Sequence, residues 1–207
     1  VTVSHSFIAT ANSIRYCGAI PVFVDIEPNT YNINPNLIED VITNKTKAIL
    51  CVHQMGMPCN LMKIIQVSKK YNIPIVEDAA CAIGSKININ EQWNKIGKPL
   101  GDIACFSFHP RKVITTGDGG MITTNKKRYY NNIRLWRQHS MSISDKKRHN
   151  SKEILFEKFL DLGYNYRMTD IQAAIGRVQL KRLNELINRR REIAHNYYKL
   201  LKNNEEI

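Results

Sequence analysis

Apolar runs of strand length alternate with segments of helical periodicity, which predicts an α/β fold: a mostly parallel sheet sandwiched by helices. Three runs carry that expectation: residues 20–25 (Ile-Pro-Val-Phe-Val-Asp), 48–53 (Ala-Ile-Leu-Cys-Val-His) and 74–77 (Pro-Ile-Val-Glu). Each is almost continuously apolar, as parallel strands covered on both faces are. Ligands of such sheets bind beyond the carboxyl ends of the strands. Asp78, His53 and Lys112 each stand at or just past such an end, so three polar groups converge where a ligand is expected.

The elements follow in order. Residues 6–17 read as a helix, with Ser6 or Thr10 near its start and Gly18 just past its end. Residues 27–36 are turn-rich, and Asn34-Pro35 opens a helix over 35–42, with proline at a tolerated early position. Residues 56–60 read as a loop, 61–71 as an amphipathic helix, and 87–98 as an excursion or hairpin. The strand-like run 103–108 ends in a polar turn holding Lys112. A cluster of threonines and glycines follows, and 121–124 reads as a second buried strand. Residues 126–138 are expected to be helical, 141–151 a polar, mobile loop, and 156–166 irregular. Thr169 caps a long amphipathic helix with Ile171, Ala174, Ile175, Val178, Leu183 and Ile187 on one face, continuing through Arg189, Arg190 and Arg191 toward Tyr198.

With 207 residues, 43% of them hydrophobic, the chain is long enough to bury a sizeable core. No run approaches the roughly 18 apolar residues of a membrane helix. The five cysteines (Cys17, Cys51, Cys59, Cys81 and Cys105) are scattered and form no Cys-x-x-Cys pair. That spacing argues against zinc and for reduced thiols in a cytoplasmic protein. The formal net charge is +12, but the basic residues are mixed with acids and lack interleaved aromatics. This favours a solvated surface with a general attraction for anionic small molecules, and argues against nucleic-acid binding. The arginine run 189–191 reads as a solvated helix face.

A lysine in a partly desolvated site has a lowered pKa and forms a Schiff base with an aldehyde. An acid at a neighbouring strand end can hold a pyridinium nitrogen protonated. Pyridoxal 5′-phosphate needs that pairing, together with hydroxyl and backbone N–H donors for its phosphate.

The chain resembles the DegT-type nucleotide-sugar aminotransferases, enzymes of the aspartate-aminotransferase fold. The resemblance runs from Ser6-Phe-Ile-Ala-Thr-Ala-Asn12 through Gly18-Ala-Ile-Pro-Val-Phe-Val-Asp25 and Val76-Glu-Asp-Ala-Ala80. It continues in Ser107-Phe-His-Pro-Arg-Lys112, Thr115-Thr-Gly-Asp-Gly-Gly120 and Gly163-Tyr-Asn-Tyr-Arg-Met-Thr-Asp-Ile-Gln-Ala-Ala174. It implies that Lys112 bonds the cofactor aldehyde and moves the proton. Asp78 is implied to pair with the pyridine nitrogen, Ser107 to bond the phosphate, and Phe7 to stack on the ring. Asn165 would reach the phosphate of a partner subunit, so that a homodimer shares its active sites. The implied reaction is amination of a nucleotide-linked keto sugar by an amino acid, glutamate in the family, for amino-sugar and surface polysaccharide synthesis. Alternatives are a truncated, non-catalytic member, or a sugar dehydratase of the same fold. In those dehydratases the lysine is commonly replaced by histidine, so Lys112 favours transamination.

Cys81 stands where the family often has glutamine, and Asp118 where glutamate is common. Residues 1–168 are expected to form part of the cofactor-binding large domain, and 169–207 a helical segment leading to a small C-terminal domain. The chain is thus expected to be the middle of a longer enzyme. His53 is expected to be a structural or supporting group.

Overall fold

The computed structural model describes residues 1–98, 100–143, 148, 150–152, 154 and 156–204. In chain order the elements are β1 (Thr2–Val3), α1 (Ala9–Tyr16), β2 (Phe23–Val24), β3 (Ile49–Val52), α2 (Leu61–Tyr71) and β4 (Ile75–Asp78). Then come the hairpin strands β5 (Lys86–Ile89) and β6 (Gln92–Lys95), β7 (Ile103–Ser107), β8 (Gly120–Thr123) and α3 (Lys127–Trp136). Last are α4 (Asp170–Lys181) and α5 (Leu183–Leu201). Six strands make one sheet in the order β2-β1-β3-β4-β7-β8. All neighbours are parallel except β7 and β8. This is the expected α/β fold with a mostly parallel sheet.

Local chemistry explains most boundaries. The Asn60 side chain accepts from the Lys63 N–H at the start of α2, and Asn72 closes the helix in the left-handed region at φ 52°. Leu61, Ile64 and Val67 of this helix are buried with Ile49, Cys51 and Ile75. Each such side chain contributes roughly 1.5–3 kcal/mol, far more than the tenths of a kcal/mol that its β-branched residues cost in helix propensity. Gly18 at φ 70° follows α1 as expected. The 87–98 excursion is a hairpin whose turn puts Asn90 and Glu91 both at positive φ, the geometry of a primed two-residue turn. Thr169 caps α4 in a capping box with Gln172.

Several expectations are corrected. Residues 35–42 are not an α-helix but two single turns of 3₁₀-helix, Pro35–Leu37 and Glu39–Val41. Isolated segments this short nucleate α-helix poorly. The run 20–25 contributes only Phe23–Val24 to the sheet. A strand absent from the sequence reading, β1, lies inside the sheet between β2 and β3. Two residues are too few for any periodicity to register. β8 is an exposed edge strand rather than a buried one, with Met121 and Ile122 open to solvent. The long C-terminal helix is two helices that meet at Arg182. Its apolar face is not a core face either: Ile171, Ile175 and Val178 are exposed, because no other element of the described chain covers them. Of the expected loop 141–151, residues 144–147 and 149 lie outside the described residues.

The alternation of side chains along β4 organises both faces of the sheet. Glu77 is opposite Cys51 and Ala104, and is completely buried. Its carboxylate accepts from the Gly101 N–H at 2.7 Å and is 3.1 Å from Nε2 of His53, itself buried. Burial works against an imidazolium at His53, but the Cys59 sulfur and Glu77 outweigh it and raise the pKa to about 9, which by itself would charge the ring. The Cys59 backbone N–H decides the matter: it points at His53 Nδ1 from 3.2 Å, which requires a lone pair there. The ring is therefore neutral, with Nε2–H donating to Glu77. His53 is thus a structural group.

Removing one partner of a buried pair strands the other without water. Glu77→Ala strands the His53 Nε2–H and the Gly101 N–H and is expected to lower unfolding stability by roughly 1–3 kcal/mol for each donor, seen as a lower urea midpoint at unchanged slope. Lys70→Ala, which breaks the solvent-exposed pair with Glu39, should leave the urea midpoint nearly unchanged, because solvent screens the pair.

Candidate active site

Asp78, Cys105 and Ser107 share the sheet face opposite Glu77: Asp78 is directly across from Cys105 in the register of β4 and β7, and Ser107 lies two residues further on. Asp78 ends its strand half-buried, as the parallel-sheet argument requires. Its Oδ2 accepts from the Thr10 hydroxyl at 3.2 Å, and its Oδ1 from the Ala80 N–H at 3.0 Å. Thr10 is in turn 2.7 Å from the Ser6 hydroxyl. Both donors to Asp78 are neutral, and no Lys, Arg or His pairs with it among the described residues.

Lys112 sits half-buried in the turn after β7. Its N–H donates to the His109 carbonyl at 2.9 Å, and the base of the turn is closed by Phe108 N–H to Gly119 O (2.9 Å) and Thr116 N–H to Phe108 O (3.1 Å). Gly119 is at φ 139°, and a Cβ there would come within 2.8 Å of Thr116 Oγ1, so the closure requires glycine. The Lys112 ammonium donates to the Cys81 sulfur at 3.1 Å, its one side-chain partner among the described residues. Among the described residues no carboxylate pairs with it.

The remaining expected residues are distributed unevenly. The Ser107 hydroxyl accepts from the His109 N–H at 3.3 Å, which leaves its own hydrogen to donate. Phe7 lies just ahead of α1, the helix that carries Thr10, and is 74% exposed, with a ring face free for stacking. Asn165 is exposed and bonds Arg167 Nε at 3.0 Å, beside a bridge to Gln138. No bond joins it to Asp78, Ser107 or Lys112 within the chain. His109 serves the turn itself, its Nδ1 accepting from the Arg111 N–H at 3.3 Å. Sequence reasoning missed Thr10 as the donor to Asp78, Cys81 as the lysine's neighbour, and Glu77. Strict strand alternation beside Asp78 was signal enough for Glu77. The contact of Thr10 with Asp78 spans 68 positions and left no local signal.

Burial foremost, then the charges of Asp78 and Glu77, push the Cys105 thiol up to about 11. An uncompensated carboxylate thus stands at the end of β4 and an uncompensated amine in the turn after the adjacent β7, whose last residue, Ser107, has a free hydroxyl hydrogen. The donor set fits pyridoxal phosphate: a cation-seeking acid for the ring nitrogen, an amine for the aldehyde, and a hydroxyl for the phosphate.

The sequence of the whole chain decides its kinship: residues 1–207 match the DegT/DnrJ/EryC1/StrS aminotransferase family. The chain belongs to that family. GDP-perosamine synthase of Escherichia coli O157:H7 is 41% identical over 194 residues, covering 94% of this chain and 49% of that protein. Among solved structures, Helicobacter pylori PseC, an aminotransferase of pseudoaminic acid biosynthesis, superposes with a TM-score of 0.87 at 32% identity. The match covers 99% of this chain and 51% of PseC. A sugar aminotransferase described as putative from Streptococcus pneumoniae, Spr1654, solved in a PLP form, gives 0.83 at 29% identity over 98% of this chain and 53% of that one. The chain spans about half the length of the curated relatives it matches. The fold is that of the PLP-dependent sugar aminotransferases.

The raised Cys105 pKa has a measurable consequence. Below about 11 this group stays a thiol. Iodoacetamide at pH 7 should therefore label the exposed Cys17 and Cys81 and spare Cys105. Cys105 labelling should rise only as pH climbs toward 11, read by peptide mass spectrometry. Equal labelling of Cys81 and Cys105 at pH 7 would contradict the placement.

Proposed function

We propose that this chain is the cofactor-binding part of a pyridoxal-phosphate-dependent aminotransferase that converts a nucleotide-linked keto sugar to an amino sugar, with glutamate as donor. The observation that carries the reading is the pair of charges without a counter-charge among the described residues, Asp78 at the end of β4 and Lys112 in the turn after the adjacent β7. When bound, pyridoxal phosphate supplies an electron sink for the pair freed at the reacting carbon.

The residues of the chain do the rest. Asp78, fixed by Thr10 and the Ala80 N–H, holds a proton on the pyridine nitrogen by charge. Ser107 turns its free hydroxyl hydrogen to the phosphate. Phe7 covers one face of the ring and excludes water. Lys112 would hold the cofactor at its aldehyde, and its amine would move a proton as base and then acid. The Cys81 sulfur, 3.1 Å from the ammonium, orients that side chain. Asn165 serves the phosphate of a partner subunit in a homodimer. This fits its exposure and its lack of a bond to the other site residues in the same chain. Residues 1–168 belong to the cofactor-binding domain, and 169–207 lead to a further domain. Five free thiols fit a cytoplasmic enzyme, and no helix among the described residues is long and apolar enough to cross a membrane.

The test is covalent capture. Pyridoxal phosphate followed by borohydride should place a reduced pyridoxyl group on the peptide holding Lys112, and Lys112→Ala should remove that adduct and the visible absorbance band together. An adduct on other lysines alone, or the same band in Lys112→Ala, would refute the assignment.

A further inference from the structure

Cys81 and Lys112 both line an open cleft of about 430 Å³ between the loop after β4 and helix α5. Cys81 is exposed, so small solutes reach its sulfur. It is not an isolated thiol: the Lys112 Nζ lies 3.1 Å from the sulfur, although 31 positions separate the two residues. Each residue is held from outside the pair. The Cys81 carbonyl packs so close to Gly56 that a Cβ there would come within 2.8 Å of it, and the Ser85 hydroxyl bonds the Gly56 carbonyl at 2.6 Å. Lys112 is held by its N–H to the His109 carbonyl and by the closed base of its turn. With both backbones fixed, a reaction between the two side chains is intramolecular and gains the corresponding effective concentration.

The other cysteines lack this arrangement. Cys51 and Cys59 are buried, and Cys105, pushed up to about 11 by burial, stays a protonated thiol. Cys17 is exposed, but among the described residues no lysine bonds it. Transamination uses the Lys112 amine and gives the Cys81 sulfur no covalent part. Oxidation changes that. A thiol oxidised to a sulfenic acid becomes electrophilic at sulfur and condenses with a neighbouring nitrogen. At Cys81 the nitrogen already in place is that of Lys112.

We propose that Cys81 and Lys112 form a reversible covalent redox switch, in which hydrogen peroxide oxidises the thiol and the lysine nitrogen is then captured on the sulfur. In the first step the Cys81 sulfur attacks one peroxide oxygen. The S–O bond forms, the O–O bond breaks, and the thiol proton leaves with the other oxygen as water. In the second step the Lys112 ammonium gives one proton to solvent and its nitrogen attacks the oxidised sulfur. The N–S bond forms, the S–O bond breaks, and the hydroxyl leaves as water with a second proton from the nitrogen. Sulfur has lost two electrons and the peroxide has gained them. A dithiol reverses the link: one thiol displaces the lysine amine from sulfur, and the second frees Cys81 as the dithiol closes to a disulfide. The switch acts whenever Lys112 is not bonded to the cofactor. Resting on the function proposed above, the link withholds Lys112 from the cofactor aldehyde until a thiol reductant restores the amine.

The test treats the cofactor-free chain with hydrogen peroxide and reads its digest by mass spectrometry without reductant. The expected product joins the peptide of Cys81 to that of Lys112, two hydrogens lighter than their sum, and dithiothreitol returns both peptides. Cys81→Ser and Lys112→Ala should each abolish it, while Cys17→Ser leaves its yield unchanged. In urea, where the fold no longer holds the pair together, the link should not form. Cys81 oxidised to a sulfinic or sulfonic acid with no link to Lys112, Cys81 tied to another thiol instead, or equal linkage in the unfolded chain overturns the proposal. Borohydride trapping of pyridoxal phosphate reads the cofactor question separately. Capture at Lys112 should fall in proportion to the linked fraction and return with dithiothreitol. Capture at Lys112 in a chain that never forms the link refutes the switch alone, and the link in a chain that shows no capture before oxidation refutes the cofactor reading alone.

Discussion

The arrangement depends on one buried carboxylate. Glu77 lies between two strands with no access to water, and its two oxygens are satisfied by His53 from the end of β3 and by the Gly101 N–H from the approach to β7. The bond thereby ties together the carboxyl ends of β3 and β4 and the entry of β7. It also fixes the register of β4, since a slip of one residue would bury Asp78 among apolar side chains and turn Glu77 to the open face. Because Glu77 is held on one face, Asp78 must stand on the other, level with Cys105 and two positions from Ser107. His53 stays neutral because the Cys59 N–H needs its Nδ1 lone pair. The cluster therefore places one buried negative charge surrounded by donors, and the open face is left for chemistry.

On that open face the chain keeps its charges apart. Asp78 is satisfied by a hydroxyl and an amide, and Lys112 by a thiol. An ion pair between acid and lysine would hold the chain closed on itself. Neutral partners instead orient each group while leaving its charge for a ligand. On helix α5 the arginines differ likewise: among the described residues Arg190 and Arg191 have no acidic partner, although Arg182 and Arg189 on the same chain segment do. Charge left unpaired in a partly enclosed place costs stability, which is why such groups mark sites of binding.

Much of the fold was legible because parallel strands are apolar throughout and their boundaries are sharp. Residues 48–53 and 74–78 could be read directly, and so could α2, whose capping asparagine and closing Asn72 are local signals. What escaped were elements whose existence depends on distant partners. β1 is a strand only because β2 and β3 flank it. The 35–42 segment looked helical by composition, yet its two tight turns are set by packing, with Pro35 and Ile38 buried. The apolar face of α4 has true helical periodicity, but periodicity does not say what covers it, and Ile171 is 76% exposed.

By itself the sequence determined the fold class, the kinship, and the residues with chemical potential: the strand-end acid, the lysine turn and the glycine cluster after it. These follow from local rules of burial, strand length and backbone freedom, which act over a few residues. Only the tertiary structure decided which groups touch. It brought Thr10 to Asp78 across 68 positions and set Cys81 against Lys112 across 31. It also packed α5 so that Ile187 fills the space beside Gly84. Such contacts are set by how elements cross and rotate as they pack, which is a property of the whole chain and leaves no trace in the order of residues near any one of them.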